Sequence, residues 1–77
     1  MENNITQHDI AMFNINNLYD FMVGAITRRL MEDYYSQLNG ALYLARSLDI
    51  IPLEEYISIS NTIRDTMANK MVKEGWN

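Results

Sequence analysis

Seventy-seven residues hold one domain at most, and a chain of that size buries only about 60% of the surface it exposes when unfolded. With no cysteine and a single histidine, a disulfide frame, a thiolate zinc site, a cysteine nucleophile and a histidine-rich metal cage are excluded. The formal charge of −4 argues against a dedicated phosphate-backbone binder, which would present an excess of Lys and Arg on one face.

Small chains add disulfides, metals or a second copy of themselves to reach useful stability, and here only self-association remains. The start of the chain, Met1-Glu-Asn-Asn-Ile-Thr-Gln-His-Asp9, lacks the basic and apolar regions of a secretory signal. The apolar run Phe21 to Ile26 is far short of the roughly 20 residues that span a bilayer. A soluble, cytoplasmic protein without a membrane partner is the expectation. Plentiful Asn and Ile beside scarce Pro and Gly suggest AT-rich coding, and with it a low-GC bacterium, a phage or a mobile element.

In chain order, residues 1–5 read as a disordered N-terminus, followed by a single helical domain over 6–77. Thr6 caps a short helical turn, with Asp9 three residues on as the acid of a capping box and Ile10, Met12 and Phe13 as its apolar side. Asn14-Ile-Asn-Asn17 reads as a breaker and a new N-cap. From Leu18 the apolar positions Met22, Ile26, Leu30, Tyr34, Leu38, Ala41, Ala45 and Leu48 step by fours and threes as one stripe. The pair Asn39-Gly40 is a strong hairpin signal, but a hairpin needs flanking strands and these flanks continue the helical rhythm. One helix from about 17 to 48, about 48 Å long, is the first expectation, and a break between Ser36 and Gly40 the second. Pro52 ends it and opens a last helix over about 53–73, with Glu54 and Glu55 at its positive end. Lys70 and Lys73 lie in its final turn and Gly75 stops it.

The expected fold is all-α: a long helix and a shorter antiparallel one forming a helical hairpin, a short N-terminal turn, and dimerisation into a four-helix bundle. A hairpin of unequal arms leaves Leu18, Phe21, Met22, Ala25 and Ile26 without cover. Ser36 and Gly40, with Tyr43 beyond them, form a small-residue second side where another backbone could approach. The partner-binding candidates are therefore Leu18, Phe21, Met22, Ile26, Ser36, Gly40 and Tyr43, with a homodimer as the expected assembly and a protein partner as a further one.

No chemistry-bearing constellation emerges. His8 is the one side chain of the type that serves as general base near neutral pH, and no nucleophile neighbours it in sequence. Within Glu32-Asp33 and Glu54-Glu55 the carboxylates point about 100° apart on a helix, so neither pair converges. Arg28 and Arg29, each four residues ahead of an acid, give Glu32 and Asp33 a simpler role. No phosphate loop, metal spacing or nucleophile elbow occurs. Neither enzyme, cofactor nor metal is expected. The tyrosines and methionines, among them Tyr34, Tyr35, Tyr56, Met31, Met67 and Met71, offer adaptable apolar surface for core or contact.

The segment Leu44-Ala-Arg-Ser-Leu-Asp-Ile-Ile-Pro-Leu-Glu-Glu-Tyr-Ile-Ser-Ile-Ser60 resembles a helix-turn-helix, with Ala45, Leu48, Ile50 and Ile57 at that family's small and apolar positions. It departs at Asp49, where the family keeps Gly, and at Glu54 and Glu55, which would repel phosphate at the groove-facing end. The resemblance implies a DNA-binding regulator using residues 44–60. The reading from the residues themselves is a non-catalytic interaction or regulatory protein with a helical apolar and acidic surface, such as a phage or mobile-element accessory factor or inhibitor.

Overall fold

The computed structural model describes residues 4–76, all-helical with connecting turns. Three helices follow in order: α1 (Gln7–Val23), α2 (Arg28–Ser47) and α3 (Leu53–Glu74). Residues 1–3 and 77 lie outside the described residues, while Asn4 and Ile5 are exposed and without regular structure.

The number of helices is as expected, but the first boundary is not. The expected N-terminal turn is a full helix of 17 residues that runs straight through Asn14-Ile-Asn-Asn17. Asparagine costs a helix interior up to about 0.7 kcal/mol relative to Ala. Ile15 and Met22, both essentially fully buried, hold this stretch helical by packing instead. The chain breaks at Gly24–Thr27. The Gly24 N–H closes α1 on the Asp20 carbonyl at 2.9 Å, and the Thr27 hydroxyl accepts from the Leu30 N–H at 3.1 Å as the N-cap of α2.

The start of α1 is as read: the Asp9 N–H donates to the Thr6 hydroxyl at 3.1 Å and the Thr6 N–H donates to the Asp9 carboxylate at 3.2 Å. Helix α2 passes Asn39-Gly40 without interruption. It ends in a Schellman arrangement, with Asp49 N–H on the Arg46 carbonyl and Ile50 N–H on the Ala45 carbonyl. This motif needs a left-handed residue, and Asp49 supplies it at φ 58° in place of the usual Gly. Helix α3 closes the same way on Gly75, at φ 72°, with the Trp76 N–H on the Met71 carbonyl.

Helices α1 and α2 are antiparallel. The start of one lies beside the end of the other around Ile10, Ala11, Leu44 and Leu48, and Phe21 stacks on Tyr34 at the opposite end. Three bonds, each spanning the same 47 positions, then fix α3 parallel to α1: His8 Nε2 to Glu55 Oε1 at 2.8 Å, Tyr19 Oη to Thr66 Oγ1 at 2.8 Å, and Lys70 Nζ to the Val23 carbonyl at 2.7 Å. A constant offset means two helices advancing together at the same rise per residue. Helix α3 is therefore antiparallel to α2 and lies behind the α1–α2 pair. The core between the three comprises Ile15, Met22, Ala25, Met31, Leu38, Leu42, Ala45, Ile51 and Ile63. Trp76 folds back onto it, its ring 5.3 Å from Lys70 Nζ and its carbonyl accepting from Arg28 at 2.8 Å.

Candidate functional site

The side of the α1–α2 pair turned away from α3 is the most distinctive surface of the molecule. On α1 it begins with Ile10, which together with Gln7, Ala11 and Asn14 forms one wall of a groove; Ala41, Leu44, Ala45 and Leu48 of α2 form the other, with Ile50 at the end. Phe13 and Ile5 extend this apolar surface outward beside Ile10. Phe21 lies about three helical turns beyond Ile10, and Leu30 about five turns before Leu48, so both fall on the same side of their helices. The exposures are high for such residues: Ile10 54%, Phe13 67%, Phe21 57%, Leu30 40%, Leu44 58% and Leu48 61%. Between them stand the uncharged amides Gln7, Asn14, Asn17 and Gln37 and one carboxylate, Asp33, about three turns before Leu44 on the same side of α2, with Asp20 about two turns beyond Phe13 at the edge. Asp9 borders the patch at its edge. Its carboxyl is held below the usual carboxylate range by the Thr6 backbone N–H and then the Thr6 hydroxyl, so it is occupied in capping α1.

The residues expected to bind a partner are scattered by this fold. Phe21 belongs to this outer face, and Leu18 is half-buried beneath it. Met22 is completely buried in the chain's own core, and Ala25 nearly so. The expected long helix is interrupted there: α2 runs back beside α1, and Met22 and Ala25 are buried while Phe21 and Ile26 stay exposed. Ile26, at 83% exposure, projects from the α1–α2 connection. Ser36, Gly40 and Tyr43 are exposed on the side of α2 away from its buried residues, Gly40 about one turn before Leu44 at the border of the outer face. A Cβ built on Gly40 would meet nothing within 4 Å.

Of the polar groups considered for chemistry, His8, Glu55 and Glu32 have side-chain partners, whereas the expected pairing of Arg29 with Asp33 is not among the ion pairs of the described residues. His8 and Glu55 bond α1 to α3, which leaves Glu54 separate from its sequence neighbour. Arg28 pairs with Glu32 at 3.5 Å, the expected spacing of four. Among the described residues no three His, Cys, Asp or Glu side chains gather as a metal site, and no helix is long and apolar enough to cross a membrane. No buried polar side-chain atom there lacks a hydrogen-bond partner.

The sequence reading missed Ile10, Phe13, Leu30, Leu44 and Leu48 as a surface. The signal was available in Thr27, which has a helix-capping side chain and is followed three residues on by an apolar Leu30. A helix start there folds the first 23 residues back against the next 20 and leaves two apolar flanks side by side. Comparison with protein-family models, curated proteins and solved structures finds no match to this chain.

Proposed function

We propose that this chain is a small non-catalytic protein–protein interaction or regulatory protein, and that the outer face of α1 and α2 is its contact surface. The carrying observation is that face itself: large exposed apolar side chains outside the chain's own buried core, separated mainly by amides, with Asp33 the charged group among them. Contiguous exposed apolar surface of this kind marks an interaction site on a small protein. Self-pairing into a four-helix bundle is one use of it. Acting as an accessory or inhibitory factor of a phage or mobile element, through a foreign protein, is another.

The rival reading is a DNA-binding regulator using residues 44–60, and the left-handed Asp49 between α2 and α3 favours it. Two features favour the interaction reading instead. A helix-turn-helix crosses its helices at about 90–120°, whereas the constant 47-residue offset lays α3 alongside α1 and antiparallel to α2. Glu55 is also committed to His8 at the start of the would-be recognition helix, with Glu54 beside it. A gel shift with mixed-sequence duplex DNA at low salt separates the two. The interaction reading predicts no retention; tight binding that weakens steeply with added salt would establish the regulator.

A further inference from the structure

We propose that the outer α1–α2 face is covered by a second copy of this chain, reversed end for end about a twofold axis perpendicular to the helices, so that α1 and α2 of both subunits form a four-helix core with each α3 outside. The inference rests on the interaction reading above and supplies the partner.

Three observations select this occupant. The first is width. Helices of 17 and 20 residues side by side present about 25–30 Å by about 20 Å, hence about 500–600 Å² per subunit and about 1,000–1,200 Å² for a pair. Specific interfaces begin near about 1,000 Å². A single foreign helix, about 10 Å across, would fill the groove and leave either Phe13 or Leu44 outside it. A second two-helix layer covers both flanks.

The second is charge. A subunit of net charge −4 meets its own copy only where both surfaces can be desolvated without opposing like charges. The face offers Ile10, Phe13, Phe21, Leu30, Leu44 and Leu48 with mostly neutral amides between them, Asp33 standing beside Leu30 and Asp20 at the edge beyond Phe13. Reversal sets the two copies of Asp33 toward opposite ends of the pair, so the carboxylate that stands among these residues is not opposed by its own copy.

The third is the distribution of charge along the bundle. At the end where α1 and α3 begin stand Asp9, Asp49, Glu54 and Glu55, with Arg46 the cation beside them, bonded to Asp49 at 3.0 Å. At the other end Arg28, Arg29, Lys70 and Lys73 balance Asp20, Glu32, Asp33 and Glu74. Same-end pairing would bring two acidic ends together. Reversal sets each acidic end beside the cation-bearing end of the partner, brings Phe21 over Ile10 of the partner subunit, and places the two copies of Gln37 close to the axis.

The test is the mass in solution at micromolar concentration by analytical ultracentrifugation. The expected result is twice the 9.0 kDa subunit mass, and a value of 9.0 kDa overturns the proposal. Phe13→Glu/Leu44→Glu is expected to abolish the dimer while keeping the helical circular dichroism spectrum, whereas Tyr43→Glu, on the far side of α2, is expected to retain it; the opposite pattern assigns the contact elsewhere and sinks the face. Because the chain has no cysteine, a single Gln37→Cys reports orientation. It is expected to form a covalent dimer on mild oxidation, and a wild-type dimer whose Gln37→Cys variant stays uncoupled refutes the reversed pairing. Neither the wild-type mass nor this cross-link depends on the double variant folding. A wild-type monomer that leaves duplex DNA unshifted removes self-pairing alone, and retention of DNA removes the underlying reading.

Discussion

Gly40 separates two ideas about where this protein makes contact. If another backbone approached α2 there, a methyl group would obstruct it; if the position faces solvent, the methyl only removes the flexibility that glycine brings to a helix interior. Because nothing lies within 4 Å of the added Cβ, Gly40→Ala should stabilise the fold by up to about 1 kcal/mol, read as a raised midpoint in urea. A loss of stability would return Ser36, Gly40 and Tyr43 to the interface. Asp9 offers a second residue-level test. Its carboxyl titrates below the ordinary range because the Thr6 N–H and hydroxyl favour the charged form. A group depressed in the folded state contributes stability above its unfolded value, about 3.9, and loses that contribution as pH falls through the folded value. Thr6→Ala should therefore raise the Asp9 midpoint toward its ordinary position in a carboxyl NMR titration. An unchanged midpoint would contradict the capping box.

At the scale of elements, the joint between α1 and α2 depends on Thr27. Thr27→Ala removes the side-chain acceptor for the Leu30 N–H and should cost about 1 kcal/mol in chemical denaturation. A helix continuous from Asn17 would be indifferent to that change. The misplaced boundary has an arithmetic cause: each step of four residues overshoots a helical turn by about 40°, so the five successive steps from Leu18 to Leu38 carry the stripe about 200° around the helix. Such a stripe cannot face one neighbour, and the chain resolves the conflict by breaking where Thr27 can cap. From Leu38 onward, where threes correct the fours, the reading through Asn39-Gly40 to Leu48 matches α2. The last helix was equally legible, expected over 53–73 and found over Leu53–Glu74, because Pro52 and Gly75 punctuate it by backbone geometry alone. The Asn cluster misled because propensity costs tenths of a kcal/mol per residue, while burying Ile15 contributes about 1.5–3 kcal/mol.

For the whole molecule, the telling comparison is between nine buried hydrophobic residues and thirteen large exposed ones among those described. The need for cover was legible from length and composition, since a short chain without cysteine or metal ligands has few other sources of stability. The location was not, because it depends on which helix flanks the fold brings together: of the candidates named from sequence, Phe21 lies on the shared face, while Met22 lies inside. The account's central claim is that this face is buried between copies, so that folding and pairing are coupled by mass action. Thermal unfolding followed by circular dichroism over a wide range of protein concentration tests it most directly. The midpoint should rise steadily with concentration; a midpoint that stays fixed would show a subunit that is stable alone and leaves this face in water.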